Sequence, residues 1–178
     1  GIFKINNNEI IDSAGKLTTA VFPAGTVLQV THDAKKEGNT INTNYINYHE
    51  LNITLKSSSS DIYIFFHYGV NTGDINEGHG VRIYRNNSAT VTTSHTLVAD
   101  PYISDSTGPL IGYANSRHMT THSINVKDTL SGFSAGNTLY YGFFFRKRSN
   151  NATVTIPPPD TNDSSFLTTF MEVQKWVY

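Results

Sequence analysis

Two stretches of this chain carry apolar side chains at odd and even positions alike: Ile62–Val70 (IYIFFHYGV) and the start of residues 138–148 (TLYYGFFFRKR). In a β-strand successive side chains point to opposite faces, so an apolar run on both parities marks a central strand covered on two sides. Elsewhere the pattern is simple alternation. Leu51, Ile53 and Leu55 alternate with Asn52 and Thr54, and Val81, Ile83 and Arg85 alternate with Arg82 and Tyr84. No ten-residue segment shows a capped 3.6-residue period. The expected fold is therefore all-β: an antiparallel β-sandwich, jelly-roll-like, of eight to ten strands.

Composition agrees. Only 15% of the 178 residues are charged, where about a quarter is typical, and ten Tyr and ten Phe accompany abundant Asn, Ser and Thr. Aromatic and β-branched residues suit pleated, half-buried surfaces; Asn, Gly and Ser suit turns. Area scaling predicts about 8,600 Å² of surface folded against about 28,600 Å² unfolded, enough for a real core without staples. The absence of cysteine removes disulfides, thiol nucleophiles and Cys-ligated zinc. A net charge of −1 argues against an electrostatic nucleic-acid binder, and no apolar run approaches the ~18 residues of a membrane span. Gly1 in the first position reads as a processed product or a fragment.

Strands are expected at 26–31, 45–55, 62–70, 81–85, 91–98, 118–126, 138–148, 152–156 and 166–177. Polar loops cover 33–44, 71–78 and 99–116, and Pro157–Pro159 cannot continue a ladder. Residues 1–22 have too few apolar residues for a core of their own and are read as a separate segment preceding a domain over 23–178.

Candidate chemistry is sparse. His118 and His122 are four apart, about 13 Å on a strand, too far to share a metal ion. Asp74, Glu77 and His79 share one loop and could hold a cation or a sugar hydroxyl. Their spacing is not that of an EF-hand, and no metal ligand set or cofactor is assigned. Glu50 and Glu172 lie in strands and are candidates for the facing carboxylates of a glycoside hydrolase, though sequence alone does not set them opposite each other. No G-x-S-x-G elbow or phosphate-cradling loop occurs, and the chain is read as a non-enzyme. Arg146–Lys147–Arg148 is a short basic patch at a strand end, read as a solvated tip or a subunit contact. Tyr102 and Tyr113 fall in the long 99–116 loop, where rings either stack on sugars and protein partners or pin the loop down.

The order of LTTAVFPAGTVLQV, LNITLKSSSSDIYIFF, GVRIYRNNSA, TLYYGFFFRKRSNNATVTI and SSFLTTFMEVQ resembles the C-terminal domain of tail-fibre or virion-fibre proteins of phages of aquatic bacteria. The resemblance spans about residues 17–174 and departs at 98–116 and 157–165. It implies a homotrimeric β-sandwich at the distal end of a fibre, exposed on the virion, recognising a host cell-surface receptor that is often a glycan. The other virion proteins would be met through the N-terminal side, with 1–22 as the end of a fibre shaft or a trimerisation segment and 23–178 as the C-terminal knob. The surplus apolar faces of 62–70 and 138–145 fit burial about a three-fold axis, on which a residue such as His32 would be presented three times.

Strand alternation then gathers loops 33–44, 71–79, 98–116 and 149–165 at the end far from the shaft, with the plain turns 56–61, 86–90 and 127–137 at the other. Long polar loops on a rigid scaffold are where recognition is usually built. The expected receptor contacts are Asp74, Glu77, Tyr102, Asp105, Tyr113 and Asp160. Two alternatives remain: a mainly structural, trimerising capsid-surface knob, and an envelope-polysaccharide depolymerase or esterase.

Overall fold

Ser60–Thr72 forms the longest strand among the described residues, β6, and its even positions Ile62, Ile64, Phe66, Tyr68 and Val70 are all buried. The computed structural model describes residues 3–5, 8–11, 24–35, 39–72, 79–100, 118–147, 153–156 and 166–175. In it β6 pairs antiparallel with β9 (His118–Asp128) on one edge and with β12 (Phe166–Gln174) on the other, and β12 pairs with β3 (Val27–Lys35). Above the start of β12, the short β11 (Val154–Ile156) takes up the edge of β6 and pairs in turn with β4 (Asn39–Thr40).

The second sheet runs β5 (Ile46–Thr54), β10 (Thr138–Lys147), β7 (His79–Asn86), β8 (Thr96–Ala99), again antiparallel throughout. The orders β3–β12–β6–β9 and β5–β10–β7–β8 are those of an eight-stranded jelly roll, in which the chain crosses between two sheets as two Greek keys. No helix occurs among the described residues. In the N-terminal segment β1 (Phe3–Ile5) and β2 (Asn8–Ile11) pair with each other as an antiparallel hairpin.

The core lies between the sheets. Phe66, Tyr68 and Phe170 from one side meet Ile53, Leu139, Tyr141, Phe143 and Phe145 from the other, with Phe66 and Phe143 centroids 4.2 Å apart. At one end Asp128 accepts from Tyr141 Oη at 2.7 Å and from Arg85 Nη1 at 2.5 Å, so a charge inside the sandwich is paired and hydrogen-bonded.

Three expectations are corrected. β3 continues through Lys35 instead of opening a loop at 33, because β12 offers partners as far as Phe166. Residues 91–95 are not strand: the Thr90 and Val91 N–H groups donate to the Glu50 carboxylate and Thr92 N–H to His95 Nδ1, diverting the chain from the ladder. And the outer apolar row of β10 is not surplus. Phe144 and Tyr84 form a second cluster with Val91, all buried within one copy of the chain. Gly142 makes this possible, since a Cβ there would come within 2.9 Å of Val91 Cβ.

The outer face of β6 differs. Tyr63 and Phe65 stay half-buried, next to the half-buried Met171 and Val173 and the exposed Val27, Val30 and Leu167, the most open being Val30 at 58%.

Candidate functional site

The strand register brings the stems of the long polar segments to one end of the sandwich. Thr72 pairs with His118 and with Val154, Lys147 pairs with His79, and Ile156 pairs with Asn39. The strand ends that flank 73–78, 101–117, 148–152 and 157–165 thus converge. The turns at 55–59, 87–95 and 129–137 occupy the opposite end, at the feet of the same strands. Asp74, Glu77, Tyr102, Asp105, Tyr113 and Asp160 all lie outside the described residues.

What the described residues build at this end is a cation–aromatic cluster on the outer face of the β5–β10–β7–β8 sheet. The Tyr45 ring carries the Arg82 guanidinium at 4.3 Å and the Arg146 guanidinium at 5.1 Å from its centroid. Gly80 lies beneath it; a Cβ at that position would sit 2.6 Å from Tyr45 Oη, so only glycine lets the phenol settle on β7. Arg82 Nε donates to Asp100 Oδ2 at 2.8 Å. Burial pushes the Tyr45 hydroxyl above the ordinary phenol range, against the pull of the two cations.

Beneath this surface the interior holds three rings from three strands: Tyr68, His79 and His122. Tyr68 Oη is 3.1 Å from His79 Nε2, and the two imidazole centroids are 5.1 Å apart. Burial, then the charge His122 would carry, drives His79 down to about 3; burial alone lowers His122. Both rings are therefore neutral at physiological pH. His79, expected beside Asp74 and Glu77 in a ligand loop, is instead the first residue of β7 and turned inward at 1% exposure. His118 is strand, as expected, but its side chain is outside the described residues. Among the described residues no group of three His, Asp or Glu could hold a metal ion.

The two carboxylates considered for hydrolysis are taken up by their own chain. Glu172, fully buried on β12, accepts from the Lys56 and Ser57 N–H groups, from Ser60 Oγ at 2.6 Å and from Gln29 Nε2 at 2.6 Å. Glu50 accepts from Thr90 N, Val91 N and Asn47 Nδ2. Each closes a turn between strands. The cue in the sequence was a lone acid in an apolar strand with no cation beside it, which demands donors from elsewhere.

At the opposite end lies an open cavity of about 340 Å³ lined by Gly25, Asp61, Tyr63, Lys127, Gln174 and Lys175, among others. Asp61 accepts from Lys127 at 2.7 Å, Lys175 at 3.1 Å and Leu130 N–H, and these donors outweigh its burial and hold its carboxyl below the usual range. Lys175 also donates to the Leu130 carbonyl. The lining thus joins the turns at the feet of the strands.

No protein-family model and no curated protein matches the chain. Among solved structures it is similar to a point mutant of the VP2 protein of infectious bursal disease virus in T=1 particles, at 10% identity and a TM-score of 0.36 over 84% of this chain and 36% of that one. It is also similar to the Gx strain of that virus, at 12% identity and a TM-score of 0.32 over 86% and 39%. The VP2 subviral particle gives 11% and 0.27 over 84% and 37%. The chain spans little more than a third of those chains' length.

Proposed function

We propose that this jelly roll is the distal, receptor-recognising domain of a virion fibre, binding a host cell-surface glycan with the loops at one end and acting as a homotrimer. The observation that carries the reading is the strand register. The stems of 101–117, the longest polar segment between the strands, and of 73–78, 148–152 and 157–165 converge at one end, while turns tied down by Glu50, Glu172 and Asp61 fill the other. A rigid double sheet with variable loops at one pole is the usual way to present a recognition surface. The order of sequence blocks resembling phage fibre tips supports the location on a virion.

Support for the trimer comes from the outer face of β3, β12 and β6. Val27, Val30 and Leu167 are exposed beside Tyr63, Phe65 and Met171, apolar side chains interrupted on this face by the hydrogen-bonded His32–Thr169 pair, and exposed apolar surface of this kind marks an interaction site. Three equivalent weak sites on one particle would gain avidity from being tethered together. Binding rather than hydrolysis is favoured because Glu50 and Glu172 are both committed to turns.

The test is adhesion of the purified protein to host cells, with native mass spectrometry of the same sample. Saturable host-specific binding by a trimer is expected, and Tyr102→Ala with Tyr113→Ala should reduce adhesion while leaving the mass unchanged. A trimer that binds no cells or glycans would make this a structural knob; a stable monomer at micromolar concentration would remove the trimer.

A further inference from the structure

The geometry points to an anion subsite on the Tyr45–Arg82–Arg146 cluster, and we propose that it takes the oxyanion of an acidic glycan, a carboxylate or a sulfate ester. This inference rests on the reading of the loop end as the recognition surface and names the class of sugar it would take.

Charge carries the case. The outer face of the β5–β10–β7–β8 sheet presents Arg82 and Arg146 at this end. Its described acids are Asp100, taken up by Arg82, and Glu50, taken up by the Thr90 and Val91 N–H groups. Arg146 has no carboxylate partner among the described residues; it meets the Tyr45 ring and hydroxyl. A guanidinium has five N–H donors in a planar fork. Arg82 uses Nε on Asp100 and faces the same ring as Arg146. Two forks held against one aromatic plate, with one acid paired to Arg82 alone, leave donors and net positive charge for a planar or tetrahedral oxyanion.

The cluster is also built. Tyr45 is seated by Gly80, and the Arg82 fork is oriented by Asp100, so an incoming anion would not have to order both long side chains itself. The chain as a whole carries a net charge of −1, so attraction of an anion here would be local rather than a property of the whole protein.

Oligogalacturonate, sulfated carrageenan oligosaccharides and neutral malto-oligosaccharides, titrated calorimetrically against the intact protein at two salt concentrations, test this. At least one acidic probe should bind tenfold or more tightly than the neutral one, more weakly at high salt, and which one responds tells carboxylate from sulfate. Arg146→Gln should weaken that binding at least tenfold with an unchanged melting temperature. Lys56→Gln, which removes the same charge at the opposite end, should leave it intact. Equal binding of acidic and neutral probes, or equal losses in Arg146→Gln and Lys56→Gln, would overturn the subsite. If neutral glycans or host cells are bound while acidic probes are not, the subsite fails and the recognition reading stands. If neither cells nor any glycan is bound, both fail.

Discussion

The Glu172 carboxylate and the Ser60 hydroxyl, 112 residues apart in the chain, meet at 2.6 Å inside the sandwich. Glu172 belongs to β12, Ser60 opens β6, and the same carboxylate receives the Lys56 and Ser57 N–H groups. One side chain thereby satisfies the turn that carries the chain from one sheet to the other. A buried donor left without its acceptor costs about 1–3 kcal/mol. Glu172→Gln removes one acceptor oxygen and turns an NH2 toward N–H donors, so it should lower unfolding free energy by about 2–4 kcal/mol. Urea denaturation measures this; a loss below about 1 kcal/mol would mean that water replaces the carboxylate.

Much of the scaffold is legible from alternation alone. The parity of β6 names its inward residues, and the spacing of turns gives antiparallel sheets and the end at which the loop stems gather. What sequence reading misses is who covers an apolar face. The outer row of β10 reads as a subunit contact, yet Val91, an isolated apolar residue in a Thr/Ser loop, folds back onto it at Gly142. Nothing local in the sequence links residues 91 and 142. The Tyr45 cluster is invisible for the same reason, since its ring comes from the residue just before β5 and its two arginines from β7 and β10. The tip residues Asp74 to Asp160 rest on loop composition alone.

Gly142→Ala tests the self-covered face. The added methyl would meet Phe144 at 2.7 Å, Val91 Cβ at 2.9 Å and Asn47 at 3.0 Å, and the Val91 contact cannot be relieved by rotating a flexible tip. Overpacking of this kind costs about 1–3 kcal/mol. The expected result is that loss in equilibrium unfolding, with altered near-ultraviolet circular dichroism from Tyr84 and Phe144. Gly132→Ala, where nothing lies within 4 Å, should lack the spectroscopic change, although its φ of +75° adds backbone strain.

Val30→Glu separates assembly from folding. The side chain is 58% exposed, so the single chain should tolerate the change within about 0.5 kcal/mol. Three copies sharing this face would have to bury the carboxylates without partners, which is strongly unfavourable. Native mass spectrometry should show the proposed trimer for the parent and folded monomer for the variant. A trimer of undiminished stability would move the interface away from the β3–β12–β6 face.

Acid should loosen the loop end first. His79 falls to about 3 in the folded protein from an ordinary value near 6.5, through burial and then His122. The unfolded chain therefore binds a proton that the folded one refuses. Stability is complete above about pH 6.5 and declines as pH falls from there toward 3, by up to about 1.4 kcal/mol per pH unit. His122, also lowered, adds to the slope in the same direction. Replacing His79 by Gln removes the titrating group while keeping a polar side chain near Tyr68 Oη, so between pH 7 and pH 5 the variant should lose less stability than the parent, even if it starts lower. Chemical denaturation at the two pH values checks this, and hydrogen exchange at pH 5 should show the amides around His79 and His122 opening before those of Ile62 and Ile64. Equal pH slopes in parent and variant would mean that the acid response between pH 7 and pH 5 originates elsewhere, as in His122; Asp61, whose carboxyl is held below the usual range, loses its contribution only under more acid conditions.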